Sequence, residues 1–269
     1  ACVCGLVMGR VWACALKRER RRRPWLAQRR FTARVAACVA LAVALAATSA
    51  APAPAAAASF AAVTCGSAIK LTHASTGAVL HSHDLAWGSG SGQQSVTAVR
   101  WQDDGNSVWV VKEAHGEAQR AAPCRRGAAV ACGSLLRLEH TATGKNLHSH
   151  FEAAPISRNQ EVSAFGKGGS GDAGDDWQLL CDADAKGPNS VWLRGRAVRL
   201  KHAATGALLT TSAAAEFTQS NCRNCPILGQ LEASASSSSS MARATQTQWS
   251  VDLGVFLADA DGDADADRP

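Results

Sequence analysis

Three stretches of this 269-residue chain align with one another, and an internal repeat constrains a fold more tightly than composition can. The first is CGSAIKLTHASTGAVLHSH, Cys65 to His83; the second is CGSLLRLEHTATGKNLHSH, Cys132 to His150; the third is GRAVRLKHAATGALLTTS, Gly195 to Ser212. Each sets a basic residue, Leu and a variable residue before a histidine, at His73, His140 and His202. Each then carries Thr-Gly (76–77, 143–144, 205–206) and, three residues after the glycine, Leu80, Leu147 or Leu209. A second block follows, GQQSVTAV from Gly92, NQEVSAF from Asn159 and GQLEASA from Gly229, and a tryptophan closes each copy at Trp109, Trp177 and Trp249. A repeat of this size cannot bury its apolar face alone, so the three copies must share one core.

The local patterns read as strands. AIKLTH, LLRLEH and AVRLKH alternate apolar and polar residues, as a half-buried strand does. The Thr-Gly dipeptides are turn signals, because glycine accepts a positive φ. AVLHSH and KNLHSH are then the returning strands of hairpins, and GSGSG (88–92) is a loop. No segment after residue 62 shows a helical period with caps. The expected fold class is all-β, a β-trefoil built of three repeats, in which closure removes exposed sheet edges.

The chain opens differently. Arg10 to Arg34 carry ten Lys or Arg and one acid, followed by the apolar run VAACVALAVALAA (35–47) and an Ala/Pro-rich stretch. That order is the order of a secretory signal, with cleavage expected between Ala50 and Ala62; an uncleaved anchor or a transit peptide are the alternatives. The apolar run is shorter than the roughly 20 residues of a membrane-spanning helix, and nothing after residue 62 resembles one. Residues 1–62 hold ten of the 28 basic residues and one of the 22 acids, so the formal charge of +6 becomes 18 bases against 21 acids, or −3, for the remainder. No basic patch is left to argue for nucleic acid.

Taken together, the two HSH-bearing copies, GSGSGQQSVT, DDGNSVW and NQEVSAFG resemble the MIR-repeat family, and within it the small secretory-pathway members of the stromal cell-derived factor 2 type. The resemblance runs from about Val63 to Phe256. It implies a β-trefoil in the endoplasmic reticulum lumen and a role in folding and quality control, beside a J-domain co-chaperone and the lumenal Hsp70, on unfolded or glycosylated clients. It implies no catalysis. MIR repeats also occur in protein O-mannosyltransferases, so a module binding mannose-type carbohydrate is the alternative, although the lectin signature Gln-x-Trp is missing before Trp249. The expected organisation is a targeting segment (1–58), repeats at 63–118, 126–183 and 184–252, a Cys/Ser-rich insertion within the third (218–242) and an acidic disordered tail (257–269).

Residues i and i+2 of a strand share a face, so His81 with His83, or His148 with His150, could ligate one metal. Zinc needs three or four ligands, seven of the eight histidines fall at repeat positions, and the third copy has Thr210 and Ser212 instead. Repeat identity accounts for the pairs, and no metal or other cofactor is expected. A surface binding a ligand or partner, made of these four histidines with Gln93, Gln94, Asn159 and Gln160, is the remaining functional reading. No catalytic residue is expected, since no Ser-His-Asp order, phosphate loop or nucleophile elbow stands out. Cys65 and Cys132 open the first two copies, and Cys124 and Cys181 follow their closing strands. That relation favours Cys65–Cys124 and Cys132–Cys181 among the three possible pairings. Cys222-Arg-Asn-Cys225 has redox spacing but opens no helix, so a local disulfide or inert thiols are expected.

Overall fold

The computed structural model describes residues 61–116, 124–168, 170–181, 190–237 and 245–258, all within the compact unit Ala53–Pro269. The expected targeting segment lies outside the described residues, as does the expected tail from residue 259. In chain order the strands are β1 (Ala68–Ile69), β2 (Thr72–His73), β3 (Val79–Ala86), β4 (Gln94–Val99), β5 (Trp109–Glu113), β6 (Leu135–His140), β7 (Asn146–Ala153), β8 (Gln160–Phe165), β9 (Trp177–Cys181), β10 (Val198–His202), β11 (Leu208–Glu216), β12 (Leu231–Ser236), β13 (Trp249–Ser250) and β14 (Gly254–Val255). The described residues form an all-β protein with short 3-10 turns before three of the tryptophans.

The repeat reappears as register. In the hairpin β3–β4, Leu80 faces Ala98 and Ser82 faces Val96; in β7–β8, Leu147 faces Ala164 and Ser149 faces Val162; in β11–β12, Leu209 faces Ala235 and Thr211 faces Ala233. Each hairpin shifts register just after the central hydroxyl residue, an irregularity that bends the strand and re-aims the next side chain. The second strands pair with one another, β4 with β8, β8 with β12 and β12 with β4, so the hairpins close into a triangle. The remaining strands pair in a ring: β1 with β5, β5 with β6, β6 with β9, β9 with β10, β10 with β13 and β13 with β2. β1 and β2 are adjacent in sequence, so the ring is complete.

Tryptophans fill the interior. Trp109, Trp177 and Trp249 are fully buried, and their indole N–H groups donate to the carbonyls of Leu80, Leu147 and Leu209 at 3.0, 2.9 and 3.1 Å. A buried indole contributes a large apolar body and needs one acceptor, and each repeat supplies that acceptor from its own returning strand. The structure contains the disulfides Cys65–Cys124 and Cys132–Cys181, which span 59 and 49 residues, with Cys124 and Cys181 packed against the core.

Two boundaries differ from the sequence reading. β12 falls inside the stretch expected as an insertion, which leaves the loop 217–230 as the extra material. Beyond the third repeat, β14 adds to β1, and Leu257 is held where its carbonyl accepts from Thr64 Oγ1 at 2.7 Å. The segment expected to open a tail therefore begins as packed chain.

Candidate functional site

The first histidine of each repeat has one environment in three copies. Thr76, Thr143 and Thr205 hydroxyls lie 2.9, 2.9 and 2.8 Å from Nδ1 of His73, His140 and His202. Each Nε2 lies 2.8–2.9 Å from a backbone carbonyl in the 3-10 turn closing the preceding repeat: Gln246 for His73, Asn106 for His140, Gly174 for His202. A carbonyl only accepts, so Nε2 carries the proton, and Nδ1 of His73 and His140 accepts from threonine; the Thr205 hydroxyl donates instead to the Gln160 carbonyl oxygen. Burial lowers the pKa of all three, although the carbonyl contact opposes it. These neutral histidines join one repeat to the next around the whole ring.

The HSH histidines sit at the register shift. In repeat one they form a chain. Asp104 Oδ2 lies 2.6 Å from His81 Nδ1, His81 Nε2 lies 3.0 Å from His83 Nδ1, and His83 Nε2 lies 2.9 Å from Ser95 Oγ. The Ser95 hydroxyl donates to the Leu85 carbonyl at 2.9 Å, so the His83 Nε2–H donates to Ser95. Burial, reinforced by the charge of His81, pushes the pKa of His83 down to about 4. Burial alone would raise the pKa of Asp104, but hydrogen bonds from Ser107 and His81 hold it below the usual carboxylate value. The order Ser–His–His–Asp suggests a nucleophile relay, yet Ser95 is 2% exposed and its hydroxyl is engaged by Leu85. As arranged, the chain fastens the hairpin to the turn at 104–107.

Repeat two builds the same place differently. His148 Nδ1 meets Asp175 Oδ1 at 2.9 Å and Asp172 Oδ1 at 3.7 Å, and His150 Nε2 meets Glu161 Oε1 at 3.1 Å. The other oxygen of the fully buried Asp175 lies 3.0 Å from Nε2 of His115, the histidine outside the repeat. His148, Asp172 and Asp175 offer three potential metal-ligand atoms within 4.8 Å of one another. All three residues already have protein hydrogen-bond partners, and the trio is not the i, i+2 histidine pair that the sequence suggests. In repeat three Thr210 donates to the Gln246 carbonyl, so loss of the histidine coincides with a backbone acceptor taking the place of the carboxylate.

The amides singled out from the sequence, Gln93, Gln94, Asn159 and Gln160, lie at the seams between repeats, as does Gln230, which was not singled out. Gln93 bonds Ser163 at 2.5 Å, Asn159 bonds Ser234 at 3.1 Å, and Gln230 bonds Thr97 at 2.5 Å, each reaching into the next repeat around the ring. Gln94 Nε2 reaches Thr143 at 2.9 Å, and the Gln160 amide lies 2.6 Å from Thr205. The third equivalent is Leu231, which packs with Ala78 and Ala98. Two clefts lie along these seams at equivalent places. One, of about 400 Å3, is lined by Asp84, Gln93, Gln94, Lys145 and Lys167; the other, of about 280 Å3, by Phe151, Arg158, Asn159 and Gln160.

Two features escaped the sequence reading. Glu161 and Glu232, each the second residue of its strand (β8 and β12), are fully buried carboxylates. Glu161 accepts from the Ser91 hydroxyl and Glu232 from the Ile156 and Ser157 N–H groups, so each holds the hairpin loop of the preceding repeat. An acid inside an otherwise small and apolar strand was the available signal. The second feature is an apolar groove of about 410 Å3 where the hairpin loops meet, lined by Leu85, Trp87, Phe217, Ile227 and the cysteines 222 and 225. Trp87, Phe217 and Ile227 form their own small cluster with Ile156 beside it. Trp87 and Phe217 directly follow β3 and β11 at equivalent positions, where repeat two has Ala154, whereas Ile156 and Ile227 belong to loops of unequal length.

Comparison with known proteins accords with this architecture. The MIR domain family model matches residues 86–241. Stromal cell-derived factor 2 of Homo sapiens is 48% identical over 154 residues, covering 57% of this chain and 68% of its own. The stromal cell-derived factor 2-like protein of Dictyostelium discoideum is 42% identical over 175 residues, 64% of this chain and 75% of its own. The crystal structure of the SDF2-like protein from Arabidopsis thaliana superposes with a TM-score of 0.63 at 38% identity, covering 73% of this chain and 98% of that one. The S. cerevisiae protein O-mannosyltransferase Pmt1–Pmt2 complex bound to the sugar donor matches with a TM-score of 0.60 at 29% identity, over 73% of this chain and 26% of that one. The chain therefore belongs to the MIR-domain proteins and, among them, to the stromal cell-derived factor 2 family.

Proposed function

We propose that the chain is a β-trefoil of three MIR repeats that serves as a non-enzymatic adaptor in protein folding and quality control in the endoplasmic reticulum lumen. It binds unfolded clients and associates with a J-domain co-chaperone and Hsp70. The observation that carries this reading is the apolar groove of Leu85, Trp87, Phe217 and Ile227 in a member of this family. The groove presents Leu85 over a floor of buried Trp87, Phe217 and Ile227 and requires no chemical step, and burying one leucine-sized side chain there is worth about 1.5–3 kcal/mol. The secretory pattern of residues 10–62 supports the compartment. The test is capture from a lumenal extract. Enrichment of a J-domain protein and Hsp70 over an unrelated trefoil is expected; equal recovery on both would contradict the reading.

A second reading has its own support. Phe151 is 82% exposed on the seam cleft that also presents Arg158, Asn159 and Gln160. An exposed aromatic face with amide and guanidinium groups beside it suits a sugar ring. On this reading the module binds a mannose-type glycan, and Phe151→Ala abolishes retention on immobilised high-mannose glycan. Retention of neither form would remove it.

A further inference from the structure

Cys222 and Cys225 form a disulfide across three residues of sequence. The other two disulfides span 59 and 49 residues and pack their sulfurs against the core, where constraint of the unfolded chain explains them. That constraint grows with loop length and is smallest for a loop as short as 222–225. The structure places this disulfide on the wall of the apolar groove, half-buried, with Trp87, Phe217 and Ile227 beside it and the exposed Pro226 following. Arg223, also exposed, puts a cation on the same loop, and a nearby cation favours a thiolate leaving group. Solvent-accessible disulfides are the exchangeable ones.

We propose that Cys222–Cys225 is a thiol–disulfide exchange site whose substrates are cysteine thiols carried on apolar, unfolded segments lying in the groove. A client thiolate attacks one of the two sulfurs. The Cys222–Cys225 bond breaks, a mixed disulfide forms, and the released cysteine thiolate takes a proton. A second client thiolate attacks the mixed disulfide, the client's own disulfide forms, and the remaining cysteine leaves as a thiolate that is protonated in turn. Two electrons pass from client to protein, and a small-molecule disulfide such as oxidised glutathione restores the starting state. The site rests on the proposed client binding for its substrate and on the proposed compartment for its oxidant.

The experiment uses the full chain, oxidised, in glutathione buffers of increasing reducing power, with free thiols alkylated and mapped by peptide mass spectrometry. Cys222–Cys225 is expected to open in buffers that leave Cys65–Cys124 and Cys132–Cys181 closed; opening only together with them overturns the proposal. The second arm supplies a reduced dithiol peptide with Leu and Phe around its cysteines, and a matched Ser/Gly peptide. The apolar peptide is expected to be oxidised about tenfold faster, the scale of one buried apolar side chain. The double variant Cys222→Ser/Cys225→Ser is expected to show no such oxidation while keeping the thermal midpoint of the parent. Equal rates for the two peptides, or an unchanged rate in the double variant, overturns the proposal. Capture of co-chaperone and Hsp70 without exchange would leave the adaptor reading standing and remove only this one; exchange without capture would do the reverse.

Discussion

At the scale of the residue, the histidines are defined by what each nitrogen touches. His73, His140 and His202 are neutral, buried and bonded through Nε2, and burial depresses their pKa. A histidine whose folded pKa lies below the unfolded value of about 6.5 is neutral in both states at higher pH, so it favours neither there. As the pH falls below 6.5 the unfolded chain takes the proton first, and stability declines until the folded pKa is reached. Each histidine contributes a slope of up to about 1.4 kcal/mol per pH unit in that window. His83, with its pKa at about 4, extends the same effect downwards. Urea midpoints are therefore expected to be flat from pH 8 to 7 and to drop steeply from 6.5 to 5; a midpoint that rises on acidification would contradict the tautomers assigned here. His140→Ala leaves the Asn106 carbonyl and the Thr143 hydroxyl without this partner and is expected to cost about 1–3 kcal/mol in the same measurement.

At the scale of the element, the hairpin loops are held by buried acids of the following repeat. Gly90 has φ +66°, and a Cβ there would lie 2.0 Å from Glu161 Oε2. Gly90→Ala therefore combines a left-handed backbone with a clash against a carboxylate and is expected to destabilise by about 1–3 kcal/mol. Gly77, also at positive φ, has no atom near the added Cβ, so Gly77→Ala is the lesser change, and thermal denaturation of both separates clash from backbone conformation. At this scale much was legible. Alternation in LLRLEH and AVRLKH marked β6 and β10, whereas AIKLTH, read as one strand, is divided into β1 and β2; Thr-Gly marked the turns and the HSH runs the returning strands. Glu161 and Glu232 were not legible as anchors, because their partners are loop N–H groups about 70 residues away in sequence, which no local pattern encodes.

At the scale of the whole molecule, the repeats are joined in a cycle, each bonded to the next by a histidine and at least one amide. Gln93–Ser163, Asn159–Ser234 and Gln230–Thr97 are the amide ties. A cycle has no terminal repeat, so the third copy is required by the first. Trp249→Ala, which removes a fully buried indole from the closing copy, is expected to cost about 3–5 kcal/mol and to melt all three repeats in one transition. Calorimetry showing two separate transitions would contradict the closed ring. The all-β class could be read from the aligned residues, the alternation and the turn signals of the three copies. The groove was not so read, since Trp87 and Phe217 hold equivalent places just after β3 and β11 but repeat two has Ala154 there, and Ile227 comes from the longer loop 217–230 of the third copy.

On the proposed function, labour is divided within the molecule: the recurring histidines hold the fold, and the apolar groove is the surface for clients. The most direct test is the affinity of the full chain for a reduced, unfolded secretory protein, measured with thermal midpoints for Leu85→Ser and His81→Ala. Leu85 is 39% exposed on the groove rim, whereas His81 is buried between Asp104 and His83. Leu85→Ser is expected to weaken client binding about tenfold at an unchanged midpoint, while His81→Ala lowers the midpoint and leaves the affinity of the folded protein as it was. Loss of binding in His81→Ala at full stability, with Leu85→Ser binding normally, would contradict that division.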